Sequence, residues 1–171
     1  TATSLEDNNK IKAKSFQYNN KTFTLIAKDA LTKLNNDTIQ ITSGQLLYNK
    51  DRSLITISEN VEIKDLLNDI TIKSEKFIYD TIHQIFISNS TTEITDKFGN
   101  LFIAKNFKYE IDNYLIKINE VNLTTIEKNV YEIKKAYVNL KSNRLIGKDI
   151  SINFNNLTFR EGNQPRLKGS S

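Results

Sequence analysis

The segment Ser74-Glu75-Lys76-Phe77-Ile78-Tyr79 returns along the chain as Ala13-Lys14-Ser15-Phe16-Gln17-Tyr18, Ser43-Gly44-Gln45-Leu46-Leu47-Tyr48 and Ala104-Lys105-Asn106-Phe107-Lys108-Tyr109. Its tyrosines stand 30, 31 and 30 residues apart. A fixed period of that length marks a stack of small units, none of which buries its apolar face alone. A few polar residues follow each tyrosine, and then another apolar pair, as in Asp51-Arg52-Ser53-Leu54-Ile55 and Asp112-Asn113-Tyr114-Leu115-Ile116. A weaker fifth copy runs through Leu140-Lys141-Ser142-Asn143-Arg144-Leu145-Ile146, without a tyrosine in register.

Within and between these copies, apolar and polar residues alternate. Ile39-Gln40-Ile41-Thr42, Ile55-Thr56-Ile57, Val61-Glu62-Ile63-Lys64, Ile70-Thr71-Ile72-Lys73, Ile85-Phe86-Ile87, Ile116-Lys117-Ile118, Val121-Asn122-Leu123 and Ile150-Ser151-Ile152 all show it. Period two is that of a half-buried strand. Branched and aromatic side chains fill these runs, and Asn, Asp, Ser and Gly punctuate them, so short strands joined by tight turns are expected. The fold class is therefore all-β, a stack of units of the solenoid or jelly-roll kind. Such a stack encloses a long apolar trough and leaves an unpaired strand edge at each end. In Val130 to Leu140, Val130, Ile133, Tyr137 and Leu140 also suit a helical stripe, while the same residues read as the strands Val130–Ile133 and Ala136–Leu140.

The 171 residues suffice for one core. With 38% hydrophobic and 26% charged residues and no long apolar run, neither a disordered chain nor a transmembrane helix is expected. Zero cysteine and a lone His83 exclude disulfide frameworks, thiol nucleophiles, Ser-His-Asp triads and most zinc sites. The net charge of +4 is spread along the chain, without the basic stripe or aromatic signature of a nucleic-acid reader; it suits a polyanion or an anionic lipid surface. Thr1 to Lys10 is no signal peptide, which leaves a cytoplasmic chain or one whose leader has been removed. The close at Gly169-Ser170-Ser171 reads as a cut from a longer protein.

The repeat, with Glu59-Asn60-Val61-Glu62-Ile63-Lys64-Asp65 between its copies, resembles the OstA/LptA-like family of lipopolysaccharide-transport proteins, in which an Asn-Val-x-Ile-x-Asp segment precedes each new strand pair. The glycine usual before Asn-Val is Glu59 here. Leu145-Ile146-Gly147-Lys148-Asp149-Ile150, followed by Asn163-Gln164-Pro165-Arg166-Leu167-Lys168-Gly169, is similar to the junction between the periplasmic N-terminal domain of the assembly protein LptD and its barrel. The resemblance implies a twisted, V-shaped antiparallel β-jelly roll, the LptA-like β-taco, over residues 10–160. Residues 1–9 are then a flexible start, and 161–171 a linker toward an outer-membrane barrel. It implies a periplasmic, non-enzymatic carrier without cofactor that shields lipid A acyl chains of lipopolysaccharide. Its partners would be an LptA-like bridge protein joined by strand pairing and, for an LptD-like chain, its own barrel and an LptE-like lipoprotein, with no nucleic acid. A free LptA-like bridge and a sealed structural or adhesive β-solenoid are the alternatives.

Under this reading the groove is lined by one parity of the alternating runs: Ile41, Tyr48, Ile57, Ile63, Ile72, Phe77, Ile87, Ile103, Phe107, Ile118 and Leu123. The same residues equally suit an ordinary sandwich core. Ile11, Ala13 and Phe16 mark the edge that would accept the bridge protein, or an edge strand blunted by Lys12 and Lys14. Lys50, Lys64, Lys73, Lys97, Lys105, Lys134 and Lys135 could meet lipid A phosphates, or simply solubilise the surface. No catalytic or metal residue is assigned. Glu59 with Glu62, Asp65 with Asp69 and Glu110 with Asp112 read as solvated carboxylates, His83 as a surface residue, and the Asn-x-Ser/Thr triplets as accidents of an Asn-rich chain.

Overall fold

The computed structural model describes residues 2–3, 9–155 and 167–169, all strand or turn with no helix among them. The strands are β1 (Ala2–Thr3), β2 (Lys10–Asn19), β3 (Thr24–Leu34), β4 (Ile39–Asn49), β5 (Leu54–Asp65), β6 (Ile70–Asp80), β7 (Ile85–Ser88), β8 (Thr92–Thr95), β9 (Leu101–Glu110), β10 (Leu115–Thr124), β11 (Val130–Asn139), β12 (Arg144–Asn153) and β13 (Leu167–Gly169). Each pairs antiparallel with its sequence neighbour, except that β7 and β8 divide one strand's place, both lying between β6 and β9. The expected all-β stack of repeats is thus one meandering sheet.

One kind of turn makes the repeat. The residue after each repeat tyrosine is Asn19, Asn49, Asp80 or Glu110, and Asn139 holds the place in the fifth copy. Asn19, Asn49, Asp80 and Asn139 accept backbone N–H bonds from residues two or three further on, the Asx geometry that these side chains favour. Each turn closes on a left-handed residue, in order Phe23, Ser53, Gln84, Tyr114 and Asn143. The carbonyls of the first four accept the N–H of Lys50, Thr81, Ile111 and Leu140 in the next turn, at 3.1, 3.0, 3.2 and 2.8 Å. A left-handed non-glycine residue costs about 1–2 kcal/mol, which hydrogen bonds of about 0.5–1.5 kcal/mol each offset. We call this the tyrosine edge; the other edge carries the turns at 35–38, 66–69, 96–100 and 125–129.

Midway, most long strands bend. Inward residues alternate up to the bend and then step by three, as in Ala27 to Ala30, Ser43 to Leu46, Ala104 to Phe107, Ile118 to Val121 and Ile133 to Ala136. Two successive residues there point outward, and in several strands the second is left-handed: Asp29, Asn106, Glu120 and Asp149. The pairing register slips by one residue at this level between β4 and β5, β5 and β6, and β9 and β10, as at a bulge. In the other long pairs both strands bend together in unbroken register. The bends crease the sheet along its middle. In β5 both Glu59 and Asn60 are left-handed, a conformation in which a glycine would be free of strain. Gly44 lies beneath, and a Cβ on it would stand 2.7 Å from the Glu59 Cβ.

The crease folds the sheet so that a tyrosine half and a far half face one another over a single core that includes Phe77, Phe86, Phe107, Ile57, Ile63 and Ile72. Phe77 meets Phe86 and Phe107 edge-on at 6.3 and 5.7 Å. Val130 to Leu140 is β11 and its exit, and the step from Ile133 to Ala136 across the bend accounts for its helix-like spacing. The start and linker expected at 1–9 and 161–171 lie largely outside the described residues; within them, Ala2–Thr3 pairs with Lys10–Ile11 and Leu167–Gly169 with Ile150–Ile152.

Candidate functional site

A cavity of about 250 Å³ opens between the half-sheets toward the C-terminal end. Ile70, Ile94 and Phe102 of the far half and Ile116, Val138 and Leu140 of the tyrosine half line it. Asn68, Asp96, Asn100, Asn139, Asn143 and Arg144 give it a polar rim. An apolar floor with a few polar groups at the mouth suits an amphiphile whose hydrocarbon enters first.

Beside this opening a buried clasp ties the half-sheets together. Asp65, at the end of β5, accepts the N–H groups of Leu67 and Asn68 at 3.0 Å on one carboxylate oxygen. The other oxygen accepts the Asn68 amide at 2.6 Å and the Tyr109 hydroxyl from β9. Burial first, and then the neighbouring carboxylate, pushes the Tyr109 phenol above its ordinary range, so it remains a protonated donor. Asp65, which reads in sequence as a solvated carboxylate, is therefore buried and well satisfied by four donors, and removing one leaves an expensive orphan.

The clasp also measures a stagger. The far half near β5 and β6 meets the tyrosine half of β9, and the far half of β6, β8 and β9 meets the tyrosine half of β10 to β12. The opposing halves are therefore offset by several strands.

Of the expected groove residues, Ile41, Ile57, Ile63, Ile72, Phe77, Phe107 and Ile118 are buried in the core. Leu123 lines the cavity, and Tyr48 is half-buried at the N-terminal end. Ile87 and Ile103 must be corrected, because both side chains lie on the outer face, each 37% exposed. In Ile85-Phe86-Ile87 and Leu101-Phe102-Ile103 either parity is apolar, and pairing decides between them: Phe86 lies between Tyr79 and Tyr109, and Phe102 beside Leu123. The middle of the trough is filled by its own side chains, so it is not open along its length. Ile11, Ala13 and Phe16 are half-buried against the core, and the β2 edge is taken by β1 at Lys10 and Ile11.

Of the expected lysines, Lys97 stands beside the cavity mouth, its Nζ 5.0 Å from the Phe98 ring, and none is among the lining residues. Lys64 and Lys73 both hold Glu62, at 3.0 and 3.1 Å, and keep its carboxyl below the usual carboxylate range. Lys105 pairs with Glu120 at 2.8 Å and Lys134 with Asp149 at 3.9 Å. The cation at the cavity rim is Arg144, which the repeat pattern does not single out because its copy lacks the tyrosine. His83 is exposed, with Nδ1 2.8 Å from Asp80. Among the described residues no cluster of His, Asp and Glu is placed to hold a metal ion.

No known family profile and no curated protein matches the chain. Among solved structures it is similar to LptH, the LptA-homologous periplasmic component of the lipopolysaccharide transport device of Pseudomonas aeruginosa. The identity is 8% and the TM-score 0.32, over 99% of each chain. The architecture above rests on its own strand pairing.

Proposed function

We propose that the protein is a non-enzymatic lipopolysaccharide carrier of the periplasm that shelters lipid A acyl chains between its half-sheets on their way to the outer membrane. The observation that carries this reading is the cavity between Phe102 and Val138, apolar within and rimmed by amides and Arg144. Each buried CH₂ is worth about 0.8 kcal/mol, so a greasy cleft needs no catalytic group to hold a chain. At about 250 Å³ it is smaller than the ~300–1,000 Å³ of pockets that enclose a drug-sized ligand. A lipid with several chains therefore requires the half-sheets to part, and the Tyr109–Asp65 clasp is the contact that must yield.

Delivery needs neighbours. The β2 edge from Lys12 to Asn19 pairs with nothing among the described residues and offers backbone donors and acceptors to an LptA-like bridge strand. The chain then serves either as the bridge-facing domain of an LptD-like protein, with a barrel and an LptE-like lipoprotein beyond it, or as a free bridge. The packed middle favours a second reading, a sealed β scaffold that takes no lipid.

Photo-crosslinking separates the two. A benzophenone residue at Val138, Leu140 or Phe102 should form an adduct with lipopolysaccharide, and Val138→Trp, which fills the cavity, should abolish adducts from the other two positions. Absence of an adduct at all three positions in the folded protein leaves the sealed scaffold.

A further inference from the structure

The far edge carries a feature of which only Phe98 reaches the cavity inside the roll. Three consecutive turns each expose a large apolar side chain at the tip: Leu67 at 64%, Phe98 at 60% and Ile126 at 57%. Successive hairpins lie about 10 Å apart, twice the strand spacing, so the tips form a row about 20 Å long.

The row is rigidly built. Asp96 accepts the N–H groups of Phe98 and Asn100, both at 2.9 Å, and the Asn100 amide at 2.8 Å. The turns at 96–100 and 125–129 have the same form: Asp96 N–H donates to the Asn100 carbonyl at 3.1 Å and Thr125 N–H to the Asn129 carbonyl at 3.0 Å. Asn100 then accepts the N–H of Ile126 at 3.3 Å, tying one turn to the next. Gly99 is left-handed, and the Ile126 Cγ2 stands 3.2 Å from where its Cβ would be, so the two tips abut.

We propose that this row is a bilayer-docking edge, its tips entering the interfacial region of a lipid membrane. Three side chains at turn tips are far too little surface for a stable dimer, which buries about 1,200–2,000 Å². A bilayer accepts each apolar side chain singly, in proportion to its area. The exposed charges in the row cancel, Lys97 and Lys128 against Asp69 and Glu127, so apolar insertion drives the contact and headgroup charge matters little. Lys97 Nζ lies 5.0 Å over the Phe98 ring, placed to keep its amine in the headgroups while the ring enters. Phe98 also lines the cavity, so docking brings the cavity mouth to the lipid surface. The tyrosine edge differs, since its apolar tips Phe23 and Ile82 are separated by the polar turn at 50–53.

The purpose given to docking rests on the carrier reading, but the contact itself does not. The test is flotation of the whole chain with vesicles of pure phosphatidylcholine and of phosphatidylcholine with phosphatidylglycerol. The chain should bind both alike, and the triple variant Leu67→Ser, Phe98→Ser, Ile126→Ser should bind at least about tenfold less, while Ile82→Ser, on the other edge, changes binding less than about twofold. All tips are exposed, so an unchanged melting curve certifies the fold. No vesicle binding by the parent chain, binding only to the anionic vesicles, or equal binding by the triple variant each overturns the proposal. Crosslinking at Val138, run in vesicle-free solution on the double variant Leu67→Ser, Ile126→Ser, whose two residues do not line the cavity, reads the carrier function separately: its retention with vesicle binding weakened supports a docking edge distinct from the cleft.

Discussion

Tyr18 and Tyr109 hold the same place in two copies of one repeat, yet 57% of Tyr18 is exposed and none of Tyr109. Between them Tyr48 is half-buried and Tyr79 is 3% exposed. All four follow the same small-x-x-apolar-x pattern, so the gradient does not come from local sequence. It comes from the stagger of the half-sheets. Tyr109 has the far half near Asp65 opposite it, whereas Tyr18 stands on β2 toward the N-terminal end of the stack, and burial on the tyrosine half rises from there, Leu46 of β4 being already enclosed. The comparison teaches that position along the stack decides whether a repeat's aromatic pair is core or surface.

The sharpest way to break this comparison is to truncate the phenylalanine two places before a tyrosine in a buried and in an exposed copy. Phe77→Ala should cost about 3–5 kcal/mol, as for a fully buried ring, and half-buried Phe16→Ala about 1 kcal/mol, in urea unfolding. Equal losses would mean that the N-terminal end is covered as tightly as the middle. Next in size is the hydroxyl alone. Tyr109→Phe removes a donor from buried Asp65 and should cost about 1–3 kcal/mol, whereas Tyr18→Phe should stay within about 0.5 kcal/mol. If the two match, the clasp does not hold the half-sheets together.

The smallest effect is in the residues that follow these tyrosines. Glu110 is held at about 2, below its ordinary 4.5, by hydrogen bonds from Lys117, then Lys108, then Asn113. Its folded value is the lower one, so its contribution to stability is present above about pH 4.5 and is lost as the pH falls toward 2. Glu110→Gln should flatten that part of the stability profile. The corresponding residue after Tyr18 is Asn19, and Asn19→Ala should leave the shape of the profile unchanged.

Much of this architecture is legible in the residues alone. Alternation locates the strands, the 30-residue pitch locates the stack, and each Tyr-Asn or Tyr-Asp pair locates a turn, because an Asx side chain closes a turn within its own neighbourhood. The inward face is less legible. Alternation points Ile87 and Ile103 inward although they face out, because apolar triplets satisfy both parities and the bends shift the parity in mid-strand. Ile133 and Ala136 imitate a helix for the same reason. Of the cavity lining, alternation marks Ile70, Ile116 and Leu123, of which only Leu123 is an expected groove residue, and it leaves out Phe102 and Arg144. These residues meet only when β6, β8 and β9 come to lie opposite β10 to β12.

Strand character, the turn positions and the repeat length are local properties, written in side-chain shape, in spacing and in the hydrogen bonds that Asn and Asp offer their own backbone. How far one half-sheet slides past the other is a property of the whole sheet, the sum of many small bends, and no single repeat contains it. That offset buries Tyr109, leaves Tyr18 in water, opens the cleft beside Arg144 and brings Phe98 to its mouth.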